Sequence, residues 1–294
     1  MNAATANIKA TEPKAIGVVR ASTIIQKWEP EFLWYPYIGK GNVTVLYGES
    51  CRTRDLLIYK LLSDVSAGRP LPGMDTTTAL KKETVLYINS ADHMEYSAYC
   101  IRLHEGNTKN VYFAEPCDAT NNQWYLLLAK DIDLLEQLIT KLKPSLVVID
   151  DWSSLVSFNY SDYLKVLPEV VTKVSAIAQK FDCSIVLCDF AVERCMSDGT
   201  DRLDLLKKVF SGQSVLCLYP DLQDRECVLL QSKASFTDKG KSLHYTILDK
   251  TIEWDGYSNL TNTVVEQPQT NKLIIHDWIH GCVSTCTEQE GDDQ

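Results

Sequence analysis

At 294 residues, with 45% hydrophobic and 23% charged side chains, the chain can bury a full core, which excludes disorder over its bulk. A formal net charge of -10 and a pI near 5.0 exclude a protein that coats nucleic acid by bulk charge, because neutralising phosphates takes clustered Lys and Arg. A local basic patch stays compatible with both numbers.

In chain order, residues 1–20 read as a flexible arm, polar at the start and without the apolar run of a signal peptide. The aromatics Trp34, Tyr35 and Tyr37 follow, read either as packing under a sheet edge or as stacking surfaces for bases. Short apolar runs at 43–47, 84–89, 146–149, 184–187, 214–219 and 227–231 predict strands. They hardly alternate, as strands buried on both faces do.

Amphipathic stretches at 55–66, 94–104, 131–141 and 163–181 predict helices between them. In the last, Leu164, Leu167, Val170, Val171, Val174, Ile177 and Ala178 keep helical spacing. Alternating strands and helices predict an α/β fold with a mostly parallel central sheet and helices on both faces. From 214 to 254 short turns separate the strands, which predicts an antiparallel C-terminal extension. The expected division is an arm at 1–20, a main domain at 21–258, and a linker, short helix and acidic tail at 259–294.

Ten cysteines are scattered, several inside apolar runs such as Cys183-Ser-Ile-Val-Leu-Cys188, a usage that predicts reduced thiols in a cytoplasm. No stretch approaches about 18 uninterrupted apolar residues, so no membrane partner is expected.

The chemically informative segment is Gly41-Asn-Val-Thr-Val-Leu-Tyr-Gly48-Glu49-Ser50-Cys51-Arg52-Thr53-Arg54-Asp55: an apolar strand, a short polar loop, then an amphipathic helix. In a P-loop of the form G-x-x-x-x-G-K-[ST], glycines let backbone N–H groups curl round phosphates, the lysine neutralises them and the hydroxyl holds magnesium. Here Gly48 keeps the first glycine, while Thr53 stands at the second, Arg54 at the lysine and Asp55 at the hydroxyl. Arginine's planar fork does not fit the cradle of an ammonium. Asp55 brings a negative charge to the expected helix start, where it is predicted to act as the cap.

Around this loop, Phe32-Leu-Trp34-Tyr-Pro36-Tyr-Ile-Gly-Lys-Gly41 and Ala67-Gly-Arg-Pro-Leu-Pro-Gly73 resemble the opening of RecA-like, AAA-family ATPases of the plasmid and phage replicative-helicase group. Val85-Leu-Tyr-Ile-Asn-Ser-Ala91-Asp92 resembles their second strand and acidic turn, and Lys143-Pro-Ser-Leu-Val-Val-Ile-Asp150-Asp151 their Walker B strand. Ser211-Gly-Gln-Ser-Val-Leu and Leu229-Leu-Gln-Ser-Lys233 resemble the later strands facing a neighbouring subunit. The resemblance covers roughly residues 28 to 256.

It implies a RecA-like P-loop NTPase fold, ATP with magnesium as cofactor, and assembly into a homo-oligomer or with paralogous ATPase subunits. In that family the acidic turn carries a water-activating Glu, where this chain has Ala91 beside Asp92. The histidine sensor is missing from Leu187-Cys188-Asp189-Phe190, and Lys233-Ala234-Ser235 lacks the arginine of the inter-subunit pair. Asp150 and Lys233 are the matched chemistry that survives. Asp150 and Asp151 read equally as magnesium ligands or as a strand-end pair capping the next turn. Lys233 reads as solvated or structural rather than catalytic.

Losing the loop lysine, the hydroxyl, the glutamate and the finger arginine removes most of the charge stabilisation on which phosphoryl transfer depends. The expectation is a degenerate ATPase-like protein, without efficient hydrolysis, acting as an assembly or DNA-associated subunit. The alternative is an active ATPase with an unusual site, with Arg52 or Arg54 for the lysine and Asp92 or Asp151 for the glutamate.

Arg202, Lys207 and Lys208 are candidates for a central channel, and the resemblance places DNA-contacting segments at 192–202. Near the C-terminus, His276, His280, Cys282 and Cys286 offer donors for zinc, although their spacing matches no established zinc pattern and Trp278 and Ile279 suit a docking helix instead.

Overall fold

The computed structural model describes residues 18–23, 29–48, 51–77, 80–89, 94–114, 128–156, 160–190, 201–220 and 225–260. Its main sheet has nine strands. The six with parallel pairings are β3 (Val43–Gly48), β4 (Val85–Asn89), β5 (Val111–Ala114), β6 (Leu146–Asp150), β7 (Ser184–Phe190) and β8 (Ser214–Pro220). An antiparallel extension follows, made of β9 (Glu226–Lys233), β10 (Leu243–Leu248) and β11 (Thr251–Tyr257). The order is β11-β10-β9-β8-β3-β7-β6-β4-β5. A separate small hairpin, β1 (Phe32–Trp34) and β2 (Ile38–Gly39), precedes it. The expected mostly parallel sheet with an antiparallel C-terminal extension is what the chain forms.

The continuous apolar runs have a simple cause: alternate residues serve two cores. Val43, Val45, Val147, Ile149, Ile185 and Leu187 point into one layer, which contains α3 (Leu128–Leu142), α4 (Trp152–Val156), α5 (Tyr160–Phe181) and α6 (Arg202–Val209). Leu46, Val85, Tyr87, Leu146, Val148 and Val186 point into the other, covered by α1 (Cys51–Ala67) and α2 (Met94–Leu103). Trp34 and Tyr37 belong to this second core, 1% and 2% exposed, so they pack rather than present stacking faces. Trp34 Nε1 donates to Pro72 O and Tyr37 Oη to Lys241 O, which lets both polar tips be buried. Tyr35 between them is exposed.

Two departures from the predicted elements bear on the site. Helix α1 begins at Cys51, four residues before the predicted start, so Asp55 lies in its second turn and does not cap it. No helix is predicted at Arg202, which starts α6, capped by Asp201, whose side chain accepts from Asp204 N–H.

Candidate functional site

In open α/β sheets, ligand sites lie outside the carboxyl ends of parallel strands. Register aligns those ends here: Gly48 of β3 pairs with Phe190 of β7, and Asn89 of β4 with Asp150 of β6. β7 runs between β3 and β6, so the strand entering the loop and the strand ending in the carboxylate are next-but-one neighbours. Helix α1 starts on this same edge.

The predicted phosphate loop is short. Only Glu49 and Ser50, which lie outside the described residues, separate the last residue of β3 from the first helical residue, Cys51. Four residues intervene between the glycines of a cradle that wraps a phosphate with backbone N–H groups. The surviving glycine has a packing reason of its own, since a Cβ on Gly48 would stand 3.1 Å from the Leu218 Cβ.

Three successive residues of the first helical turns are tied to different parts of the molecule. Arg52 is exposed, and its Nη2 donates to Asp249 O at 3.0 Å, in the turn joining β10 and β11. Thr53, where a cradle needs glycine, is fully buried, and its carbonyl accepts from Tyr245 Oη at 3.0 Å. Arg54 turns inward, 5% exposed, with Nη2 at 3.1 Å from Asp150 Oδ1 and 3.3 Å from Asp55 Oδ1.

Asp150 is 4% exposed, and three partners among the described residues converge on its carboxylate. Oδ1 meets Arg54 and accepts from Asp151 N–H at 2.8 Å, while Oδ2 accepts from Tyr87 Oη at 2.9 Å. Tyr87 in turn accepts from Asn89 Nδ2 at 3.1 Å. Asp151 accepts from Ser153 Oγ at the start of α4. Burial, and then the Asp150 charge, push Asp55 up to about 6, against the pull of Arg54. Burial, followed by the same Asp150 charge, raises the Tyr87 phenol well above its ordinary value, so it stays a donor at neutral pH.

A second buried pair sits beside this one. Asp189, at the end of β7 where the sensor was sought, is fully buried and bonded to Arg202 Nε at 2.8 Å and Trp152 Nε1 at 3.2 Å. Burial raises the pKa of its carboxyl and Arg202 opposes that rise. Arg202 is thereby held against Asp189, with 18% of its side chain still exposed, because a carboxylate buried without water needs a paired cation. Lys207 makes a weak pair with Asp204 at 4.0 Å, while Lys208 is exposed.

Lys233 lies elsewhere, at the end of β9. Its amine donates to Lys207 O at 2.8 Å and Phe210 O at 3.1 Å, satisfying carbonyls at the C-terminal end of α6. Partial burial lowers its pKa. Asp92, His276, His280, Cys282 and Cys286 lie outside the described residues; among those described, no group of three or more His, Cys, Asp and Glu is arranged to hold a metal. No helix among the described residues is long and apolar enough to cross a membrane.

The sequence singled out Gly48, Arg54, Asp55, Asp150 and Asp151, which the fold brings to one edge. It did not single out Tyr87, Asn89 or Trp152, nor that Arg202 and Trp152 meet Asp189. Tyr87 has a signal of sorts, being a polar-tipped aromatic two residues before the end of a buried strand. A cleft of about 430 Å³ lies alongside, lined by Arg52, Asp55, Tyr59, Tyr96 and Lys250.

A family model described as an AAA domain matches residues 14–189, more than half of the chain. No curated protein matches it. The matched range takes in the loop after β3, the α1 helix, the Asp150 strand and β7, the same elements whose ends the sheet gathers on one edge. The chain therefore belongs to the AAA-domain family of RecA-like P-loop ATPases.

Proposed function

We propose that this chain is a non-hydrolysing member of that family, in which an internal arginine takes the place of the magnesium–phosphate charge. The observation that carries the reading is the buried Arg54–Asp150 pair. In a P-loop ATPase the lysine faces phosphate and the Walker B carboxylate faces the metal side, each completing its charge balance through the ligand. Here the two side chains complete each other. As placed, the residues do not fit magnesium and a triphosphate: Asp150 has Arg54 on Oδ1, Thr53 and Asp55 replace the glycine and hydroxyl, and the chain from Cys51 onward is helix.

Charge leads to the same conclusion. Asp55 and Asp150 share the one Arg54 guanidinium, so a polyanion approaching that pair meets two carboxylates against a single cation. Its role is then that of an assembly or DNA-associated subunit, working beside further copies or paralogous ATPase subunits in replication, recombination or mobile-element functions. Residues 21–258 would act as the domain and 259–294 as an appendage.

A second reading keeps ATP binding and slow hydrolysis at an unusual site. It is favoured by the family match and by the cleft of about 430 Å³, whose Tyr59, Tyr96, Arg52 and Lys250 lining offers aromatic and cationic groups next to α1. Steady-state phosphate release by the purified protein, compared with Asp150→Ala, separates the two. The proposed reading expects both at background. Turnover in the natural chain that disappears in Asp150→Ala would establish the second.

A further inference from the structure

Helix α2 turns Ser97, Cys100 and Ile101 into the core, yet its other side carries Tyr96, Tyr99 and Leu103, which are 46%, 41% and 40% exposed. Spaced three and four residues apart, they form one apolar stripe along the outer face of the helix. Cations border it. Lys250 Nζ sits 5.2 Å from the centre of the Tyr99 ring, and Arg52 lines the cleft that Tyr96 also lines. Arg52 donates to the Asp249 carbonyl, which neutralises no charge, and neither cation has an ion pair among the described residues.

The segment 273–280, outside the described residues, has the complementary pattern in its sequence. Ile274, Ile275, Trp278 and Ile279 keep the spacing of one helix face, with His276, Asp277 and His280 on the other. Further along, Glu288, Glu290, Asp292 and Asp293 carry the charge opposite to that of Arg52 and Lys250. Reach is sufficient. Leu260, the last described residue, follows Lys250 by ten residues and so lies within about 36 Å of it, while the thirteen residues from Leu260 to Leu273 span up to about 45 Å.

We propose that the segment 273–280 docks as a helix on α2 of its own chain, laying Ile274, Ile275, Trp278 and Ile279 along Tyr96, Tyr99 and Leu103. The size of the stripe selects a tethered occupant. At the exposures given, three such side chains offer no more than about 300 Å², well short of the roughly 800 Å² per partner of a stable interface between separate molecules. A segment joined to the same chain acts at an effective concentration on the order of millimolar, so a contact of this size suffices. Seated there, the helix covers the mouth of the cleft of about 430 Å³ and brings the acidic residues after it toward Arg52 and Lys250. The contact does not depend on nucleotide, so it stands apart from either reading of the loop edge.

Hydrogen exchange of the full chain without nucleotide, followed by mass spectrometry at low and at high protein concentration, tests it. Amides of 273–280 are expected to exchange about tenfold or more slower than in an unstructured chain, equally at both concentrations. Tyr96→Ser, Tyr99→Ser and Leu103→Ser together, all at exposed positions, should release that protection. Ile274→Asp with Trp278→Asp should release it as well and speed exchange in α2, with β6 (Leu146–Asp150) protected as in the natural chain because the described fold does not include the changed residues. Three results would overturn the proposal: a segment 273–280 unprotected in the natural chain, protection that survives the triple change on α2, or protection that appears only at the higher concentration, as docking on a second copy would give.

Discussion

The side chain at position 54 decides what the loop edge can hold. A buried ion pair contributes little beyond a well-packed apolar pair, but removing one partner strands a charge in low dielectric. Arg54→Ala should therefore cost about 3–5 kcal/mol in urea unfolding, while Arg54→Met combined with Asp150→Leu should recover most of that loss. A loss under about 1 kcal/mol for the single change would mean that the Arg54 guanidinium is solvated and the pair is not formed. Asp55 makes a different prediction. Its carboxyl is raised to about 6 in the folded chain, against about 3.9 when unfolded, so the folded state holds the proton more tightly and stability falls as pH rises from about 4 to 6. A third of the side chain remains exposed, so the effect after solvent screening is about 1 kcal/mol. Asp55→Asn should be the more stable chain at pH 7 and equal to the natural one below pH 4, as followed by thermal unfolding across that range.

At the scale of elements, α1 and the β10–β11 extension are fastened together, which keeps the first turn of α1 helical. Tyr245 of β10 holds the Thr53 carbonyl, Arg52 holds the turn at Asp249, and His104 after α2 holds β11. His104 Nδ1 lies 2.9 Å from Cys100 O, an acceptor only, so that nitrogen carries the hydrogen and Nε2 accepts from Ile252 N–H at 3.1 Å. Only the neutral ring makes both bonds, and burial lowers its pKa accordingly. With the folded value below the ordinary 6.5, the unfolded chain takes the proton first. Stability from this contact is complete above about pH 6.5 and declines as pH falls through that value. His104→Gln keeps an acceptor for Ile252 and cannot titrate, so it should flatten that acid limb in chemical unfolding at pH 5 to 7. An unchanged limb would assign the loss to other groups.

For the whole molecule, the parallel sheet was legible because strands buried on both faces read as unbroken apolar runs, as in Val43–Gly48 and Leu146–Asp150. β5 escaped notice as four residues at the sheet edge, and α6 because Leu203 and Leu206 are its only fully buried residues. The first turn of α1 was not legible either: Cys51-Arg-Thr-Arg54 has no apolar period, and its helical state rests on Tyr245 and Asp150, far away in the chain. The sequence identified Arg54 and Asp150 as altered and retained chemistry respectively, but not that they meet. That contact is a product of register, which brings β6 to the same edge as the end of β3. The most direct measurement is a calorimetric titration with magnesium–ATP of the natural chain and of a variant carrying Thr53→Gly, Arg54→Lys and Asp55→Thr. The account predicts no saturable heat for the natural chain and magnesium-dependent binding for the variant. Saturable, magnesium-dependent binding by the natural chain, abolished by Asp150→Ala, would contradict it.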